Sequence, residues 1–368
     1  MPRAVRTTAT GDQAEIRHQR HLSDMRWAGQ RIDAVDSGAL PGLARLSNLV
    51  RTVKTREFED VTFHEVLAKT ALNHVPETSG MLPGEWTLNP YRGCTHACTY
   101  CFARPTHQHL GFDIAGDFDS QLIVKVNIAD VLRRELATKR VLPERVAFGT
   151  STDPYQRAEG RYQLMPPVID ALTRAGISFS ILTKGTVVRR DLDRLAAAAE
   201  HVNVELGLSI AFLDEGLRRT LEPGAPATAA RLATLRAMRD AGFTPTVFVA
   251  PILPELTDSA EQIDTLIGAL AQAGAGAVLP TSLSLMRGVK DLFFAWLGRE
   301  HPELLTTYTD LYATGSRVPQ SYRELVRSRV NRALRRHGLP VPSRTASDKF
   351  ALRGKRTPSP AVGQPTLF

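Results

Sequence analysis

Residues 89–107 read N-P-Y-R-G-C-T-H-A-C-T-Y-C-F-A-R-P-T-H, and this stretch holds all three cysteines of the 368-residue chain. Cys94, Cys98 and Cys101 have the spacing C-x3-C-x2-C, which brings three thiolates to one metal centre. An iron–sulfur cluster of the cubane type normally takes four cysteine thiolates. Because the chain has no fourth cysteine, one iron of such a cluster would stay open to bind another molecule.

Two other interpretations of the cysteines compete with the cluster. A disulfide with one spare thiol is typical of secreted proteins, and the N-terminus lacks the apolar segment of a secretory signal. A zinc site could combine the three cysteines with His96 or His107, since zinc accepts mixed sets of Cys and His. Structural zinc sites usually join two separate ligand pairs, however, and one tight group of cysteines favours the cluster.

The sequence C-T-H-A-C-T-Y-C, with Tyr100 before the last cysteine, resembles the signature of the radical S-adenosylmethionine (radical SAM) enzymes. The flanking residues N-P-Y-R-G-C and C-F-A-R-P-T-H resemble the branch that contains spore photoproduct lyase and DNA repair photolyase-like proteins. The likeness spans residues 61–298. It implies a 4Fe–4S cluster, S-adenosylmethionine bound to the open iron, an external one-electron donor, and cleavage to a 5′-deoxyadenosyl radical.

Beyond the cysteines, strand and helix patterns alternate six times. Such alternation predicts an α/β fold with a parallel sheet and right-handed crossovers. The resemblance implies the same fold class, as a partial (β/α)6 barrel. The predicted strands are Trp86–Tyr91, Val146–Thr150, Ser178–Thr183, Val202–Ile210, Thr246–Ala250 and Ala277–Leu283.

The rest of the chain surrounds this core. We expect disorder in residues 1–24, a wrapping segment over 25–85 with a helix at Phe63–Leu72, and the barrel over 86–298. A helical extension over 299–342 and a disordered basic tail over 343–368 follow. No run of eighteen apolar residues is present, so we expect a cytoplasmic protein without a membrane span.

Ligands of parallel α/β barrels bind where the strands end, and this rule selects candidate residues for S-adenosylmethionine. Ser151, Thr152 and Asp153 could accept hydrogen bonds from its ammonium group. Lys184 or Arg231 could face its carboxylate, and Ser209 suits a ribose hydroxyl. We assign Tyr100, inside the cysteine motif, to the same cofactor site.

The hydrogen donor is where the sequence departs from the family pattern. Spore photoproduct lyase carries a hydrogen-donating cysteine at the end of its second strand, and the matching position here is Gly149. A thiyl-radical relay through this chain is therefore excluded. Tyr155 is the candidate catalytic hydrogen donor, with Tyr100 as the alternative.

Two C-terminal features indicate partners. The net charge of +8 is concentrated there, with seven arginines and one glutamate between residues 317 and 337. On the predicted helix Pro319–His337, we expect contacts to DNA or RNA phosphates from Arg323, Arg327, Arg332 and Arg336. The last five residues resemble the peptide by which bacterial repair proteins dock on the sliding clamp, through Gln364, Leu367 and Phe368.

These features predict a radical SAM enzyme, lyase-like, that acts on nucleic acid, with DNA repair as the expected context. Two alternatives stay open at this point. One is a radical SAM enzyme that acts on a small molecule or a peptide. The other is a non-catalytic, metal-stabilised protein that binds nucleic acid.

Overall fold

The computed structural model describes residues 48–77 and 85–342. Two sheets form the framework of this part of the chain. Their strands are β1 (Leu49–Thr55), β2 (Phe58–Val66), β3 (Leu72–His74), β4 (Trp86–Leu88), β5 (Tyr91–Arg92), β6 (Gln121–Lys125), β7 (Arg145–Phe148), β8 (Ser178–Thr183), β9 (Val204–Ser209), β10 (Thr246–Ile252) and β11 (Ala277–Ser282).

Helices follow most of the strands. The α-helices are α1 (Asp117–Ser120), α2 (Ile128–Thr138), α3 (Arg157–Tyr162), α4 (Met165–Arg174), α5 (Leu192–Ala198), α6 (Glu215–Leu221), α7 (Thr228–Asp240), α8 (Ala260–Gln272), α9 (Val289–Glu300), α10 (Leu305–Leu311) and α11 (Gln320–Arg336). Short 3-10 helices cover Arg104–Leu110, Thr186–Asp191 and Pro302–Leu304. Within the described ranges, none of these helices is long and apolar enough to cross a membrane.

The larger sheet has seven strands in the order β11-β10-β9-β8-β7-β4-β3. Strands β4 and β7 to β11 are parallel and adjacent in chain order, and only β3 runs antiparallel to its neighbour. Every residue of β9 is buried, as expected for a parallel strand that is covered on both faces. The predicted α/β fold with six parallel strands is thereby confirmed, and the carboxyl ends of these strands meet at one edge.

The smaller sheet, with the order β1-β2-β6-β5, was not predicted. The prediction of a helix at Phe63–Leu72 is wrong, because Phe63 to Val66 belong to β2. This strand pairs antiparallel with β1 and parallel with β6, and pairing on both sides outweighs a helical spacing of apolar residues. The predicted strand Trp86–Tyr91 is also divided, since Tyr91 pairs with β6 in the smaller sheet.

The C-terminal helices pack beside the carboxyl ends of the last strands. Tyr308 donates a hydrogen bond to the carbonyl oxygen of Pro254, and Tyr312 donates to that of Leu283, both after strand ends. Cys98 and Tyr100 belong to the same apolar cluster as these tyrosines. The C-terminal helices therefore help to enclose the cysteine loop, residues 93–101.

Candidate active site

The cysteine loop begins directly after β5 and turns within the motif. Its three cysteines are free; Cys94 and Cys98 are buried, and Cys101 is partly exposed. Ala97 lies in the left-handed region with φ 55°, and its N–H donates to the carbonyl oxygen of Cys94 at 3.2 Å. Burial raises the pKa of the Cys98 thiol to about 12. A positive centre such as a metal is what converts buried thiols of this kind into thiolates.

Three free thiols in one loop suit a cubane cluster, in which each cysteine binds a different iron and one iron stays open. Within the described ranges, no group of three His, Cys, Asp or Glu side chains is arranged as the ligands of a bound metal ion. His96 contacts Asp153 and the carbonyl oxygen of Gly224, and His107 contacts the carbonyl oxygen of Gln121 at 2.9 Å, so both rings are engaged elsewhere.

Residues 152–156, which follow β7, hold the cysteine loop from one side. The Thr152 hydroxyl donates to the carbonyl oxygen of Gly93 at 2.6 Å. The Gln156 side chain donates to that same oxygen at 3.2 Å and accepts from the N–H of Thr95 at 2.8 Å. Gln156 is completely buried, so these bonds are shielded from water. The segment T-D-P-Y-Q therefore positions the loop.

Residues 221–225, which follow α6, hold the loop from the other side. The N–H of Thr99 donates to the carbonyl oxygen of Leu221 at 2.9 Å, and the N–H of Gly224 donates to that of His96 at 3.1 Å. Any Cβ at Gly224 would overlap the carbonyl oxygen of Thr95. The close approach of the two backbones therefore requires glycine at position 224.

Between these two segments lies a buried group of charges. Glu222 is fully buried; Arg231 pairs with it at 2.7 Å and Lys184 lies 3.7 Å from it. The Tyr100 hydroxyl donates a hydrogen bond to the same carboxylate. Although burial alone raises the pKa of Glu222, the cations Arg231 and Lys184 bring that pKa down to about 2. The carboxylate is therefore ionised and holds the two cations and Tyr100 beside the loop.

Four of the residues predicted to bind S-adenosylmethionine converge on this place. Lys184 donates to the Ser209 hydroxyl at 3.1 Å, and Arg231 donates to the Ser209 carbonyl oxygen at 3.2 Å. Tyr100 joins them through Glu222. Lys184 lies 5.8 Å from the centroid of the Tyr100 ring. The strand-end rule thus selected Lys184 and Ser209, which the fold does bring together.

Ser151 and Asp153, the predicted ammonium ligands, have different surroundings. Ser151 is exposed beyond the end of β7, and its N–H is hydrogen-bonded to the Asn89 side chain at 3.4 Å. Asp153 instead receives donors from His96, Thr183 and the backbone of Lys184. Ser151 remains accessible to a ligand, whereas Asp153 is already bound by the protein.

The two candidate hydrogen donors also differ. Tyr155 is completely buried, and its hydroxyl donates to Asp191 at 3.1 Å, on the 3-10 helix after β8. The Tyr100 hydroxyl belongs to the charge group around Glu222. Burial, and then the neighbouring carboxylates, raise the pKa of both phenols well above 10. Both hydroxyls are therefore neutral, and the catalytic role of either one stays a prediction.

Gly149 has no room for a side chain. Its φ is 85°, and any Cβ there would overlap the carbonyl oxygen of Leu182 on β8. A residue other than glycine would need the backbone of β7 or β8 to move. The absence of a cysteine at this strand end is therefore built into the backbone.

The predicted arginine helix is confirmed as α11, and its arginines fall into two groups. Arg336 pairs with Asp264 on α8 at 2.9 Å, so the predicted phosphate contact of Arg336 would have to replace this ion pair. Arg327 lies 4.0 Å from Glu324. Arg323 and Arg332 are exposed and have no ion-pair partner in the part of the chain that the structure describes.

Sequence reasoning missed Glu222 and Gln156, which organise the site. Glu222 follows a helix, so the strand-end rule did not reach it. Gln156 lies four residues beyond Thr152, in a segment for which the sequence predicts contacts with the cofactor and not with the cysteine loop. Glu222 could have been found as an acidic residue close in sequence to Arg231. Nothing in the sequence indicated the role of Gln156.

The sequence and the fold have counterparts among known proteins. Residues 88–267 match the family profile of the Radical SAM superfamily. An uncharacterised protein of Mycobacterium tuberculosis is 50% identical over 326 residues, 88% of this chain and 95% of that protein. A structure of spore photoproduct lyase complexed with dinucleoside spore photoproduct has a TM-score of 0.55 at 16% identity, covering 75% of this chain and 79% of its own. A lyase mutant with bound AdoMet and the same photoproduct has a TM-score of 0.53 at 16% identity, covering 72% and 78%. The profile match identifies residues 88–267, which include the cysteine loop, as a radical SAM enzyme domain, and the structures of spore photoproduct lyase share its fold.

Proposed function

We propose that the chain holds a 4Fe–4S cluster on Cys94, Cys98 and Cys101 and cleaves S-adenosylmethionine reductively beside it. Three free thiols in one clamped loop support this assignment. Such a cluster supplies one electron to the sulfonium and thereby releases a 5′-deoxyadenosyl radical. Reduced thiols also suit the cytoplasm, which is the compartment we propose.

The observation that carries this proposal is the setting of Lys184. Two cations share the single carboxylate of Glu222, and Lys184 is the more exposed of the two. Its ammonium is therefore the group available to a bound carboxylate, while Arg231 stays paired with Glu222. Ser209, which accepts from Lys184 at 3.1 Å, keeps the side chain in place and offers its hydroxyl to a ribose.

We propose nucleic acid as the substrate, with damaged DNA as the expected form. Helix α11 supports this through the exposed guanidinium groups of Arg323 and Arg332. Tyr322, near the start of the helix, donates to Asp258, which follows the carboxyl end of β10, so the helix begins on the strand-end side of the large sheet. Basic side chains on this helix would contact a phosphate backbone.

We also propose the sliding clamp as a partner. The motif residues Gln364, Leu367 and Phe368 lie outside the described residues, so the support is the sequence alone. Two adjacent apolar side chains after a register-fixing glutamine suit a peptide-binding pocket. A tail peptide with Leu367→Ala and Phe368→Ala should lose clamp binding that the parent peptide shows. A parent peptide without clamp affinity at high micromolar concentration would remove this partner.

One experiment tests the activity and the substrate class together. The protein is reconstituted with iron and sulfide under anaerobic conditions and reduced in the presence of S-adenosylmethionine. Release of 5′-deoxyadenosine is then measured alone, with duplex DNA, with RNA and with a mixture of small metabolites. Release that rises with DNA supports the proposal. Release that nucleic acid leaves unchanged would favour a small-molecule substrate, and a colourless zinc protein would contradict the cluster.

A further inference from the structure

His96 is the side chain by which the cysteine loop is fastened to the edge of the large sheet. Its Nε2 atom lies 3.0 Å from Oδ2 of Asp153, and the exposed fractions of the two side chains are 3% and 9%. The other ring nitrogen, Nδ1, lies 3.4 Å from the carbonyl oxygen of Gly224. The imidazole therefore bridges the two segments that enclose the loop.

Asp153 is held rigidly at its end of this contact. Its Oδ1 accepts a hydrogen bond from the Thr183 hydroxyl at 2.5 Å. The same oxygen accepts a second one from the backbone N–H of Tyr155, two residues further along the chain, at 2.9 Å. Its Oδ2 accepts from the N–H of Lys184 at 2.6 Å as well as from His96. Each oxygen thus has two donors, which leaves little capacity for a further one.

The protein alone therefore satisfies the hydrogen-bonding capacity of the Asp153 side chain. An ammonium group of S-adenosylmethionine is not required as a further donor to it.

We propose that His96 and Asp153 form a latch that fixes the cysteine loop on the strand ends, with Asp153 a positioning residue rather than an ammonium ligand. The proposal rests on the proposed function, because it concerns how the cluster-bearing loop is held. It assigns the ammonium of S-adenosylmethionine to other acceptors, among which the exposed Ser151 hydroxyl is the nearest in sequence.

Opening of the loop is the quantity to measure. Full-length parent, His96→Phe, His96→Gln and Asp153→Asn proteins are loaded with cluster, and the rate of cluster loss to a ferrous-iron chelator is followed. The same chains without cluster are treated with an alkylating agent, and the labelling rate of Cys94, Cys98 and Cys101 is measured. Asp170→Asn, which removes only an exposed ion pair with Arg194, is the matched control.

Loss of a charge-assisted hydrogen bond predicts about a tenfold rise in both rates for His96→Phe. His96→Gln keeps an N–H donor and should restore part of the difference. Because the two residues act as one unit, the double variant with Asp153→Asn should open no faster than the faster single variant. Asp170→Asn should match the parent.

If Asp153 is part of the latch, its variants should bind S-adenosylmethionine with a different affinity than if Asp153 is an ammonium ligand. In molecules that retain cluster, the latch predicts that Asp153→Asn and His96→Phe bind S-adenosylmethionine as the parent does. Parent-like opening rates in His96→Phe, or a tenfold affinity loss in Asp153→Asn alone, would overturn the latch. Either result can occur while the parent still cleaves S-adenosylmethionine, so failure of the latch and failure of the proposed function are distinguishable. For variants that do not load cluster, the alkylation rates of the three cysteines test whether the loop opens faster than in the parent.

Discussion

The ammonium of Lys184 lies 3.7 Å from the Oε1 atom of Glu222, a carboxylate that solvent does not reach. Arg231 pairs with the second oxygen at 2.7 Å, so two cations share one anion beside Cys98. Burial opposes the charge of Lys184, but Glu222, Cys98 and Asp153 together outweigh burial and raise the pKa of that ammonium. Lys184 therefore stays charged in a buried setting, which suits the binding of an anionic group.

Glu222→Gln removes the charge while the amide oxygen can still accept from Tyr100. The substitution leaves two buried cations without an anion, and breaking a buried pair in this way costs about 3–5 kcal/mol. The pKa of Glu222 is depressed from 4.5 to about 2. Its stabilisation is therefore fully present above pH 4.5 and is lost as the pH falls through about 2.

Denaturant unfolding of parent and Glu222→Gln proteins at several pH values checks this prediction. The difference in unfolding free energy should be constant above pH 4.5 and should shrink at lower pH. Glu303→Gln is the control, because the Glu303 side chain is exposed and, among the described residues, pairs with His301 alone. An equal, small effect from both substitutions would contradict a structural role for the buried carboxylate.

Lys184→Ala tests the cofactor site itself. Loss of a charge-assisted hydrogen bond costs about 1.5–3 kcal/mol, or about tenfold or more in affinity. Titration of the reconstituted protein with S-adenosylmethionine measures this, and the cluster spectrum should persist. Ser209→Ala should weaken binding in the same direction. Lys139→Ala, which removes a cation–π contact with Trp86, is the matched control. Parent-like affinity in Lys184→Ala would show that the site is misplaced.

The core of the fold could be predicted from the sequence because its signals are local. Six apolar strands, each followed by a helical pattern, imply a parallel sheet, and the structure has those strands as β4 and β7 to β11. The smaller sheet could not be predicted in this way. Strand β2 is defined by partners from distant parts of the chain, β1 and β6, and its own sequence near Val66 and Leu67 has helical spacing.

The site residues also differ in whether the sequence alone could identify them. Lys184 and Ser209 lie at strand ends, so the topology alone directs attention to them. Glu222 and His96 acquire their roles only when three separate segments meet, at residues 93–101, 152–156 and 221–225. Ion pairing of Arg336 was likewise not predictable, because its partner Asp264 lies on another helix.

Gly149→Ala should destabilise the protein. The left-handed backbone at φ 85° costs a non-glycine residue about 1–3 kcal/mol, and the overlap with Leu182 adds to that. Gly160→Ala is the control, since a Cβ there has open space within helix α3 and should be neutral or stabilising. Thermal unfolding compares the two. Gly149→Cys should therefore not install a hydrogen-donating thiol without loss of stability, and parent-like stability of Gly149→Ala would contradict the tight packing.

The salt dependence of DNA binding tests helix α11. Each phosphate neutralised on duplex DNA contributes about −0.9 to the slope of log K against log salt concentration. Replacing both Arg323 and Arg332 by Ala should therefore make the slope shallower by about 1.8. Arg336→Ala should leave the slope unchanged, because its guanidinium already pairs with Asp264. An unchanged slope in the double variant would remove this helix from the nucleic-acid interface.

The most direct measurement of the central claim compares 5′-deoxyadenosine formation by the parent and by Cys98→Ala after identical anaerobic reconstitution and reduction. Cys98 is one of only three cysteines, so its loss leaves two thiolates for the cluster. We predict that the parent is brown and releases 5′-deoxyadenosine from S-adenosylmethionine, and that Cys98→Ala loses both the visible absorbance and the release. Undiminished release by Cys98→Ala, or no release by a fully loaded parent, would contradict the account.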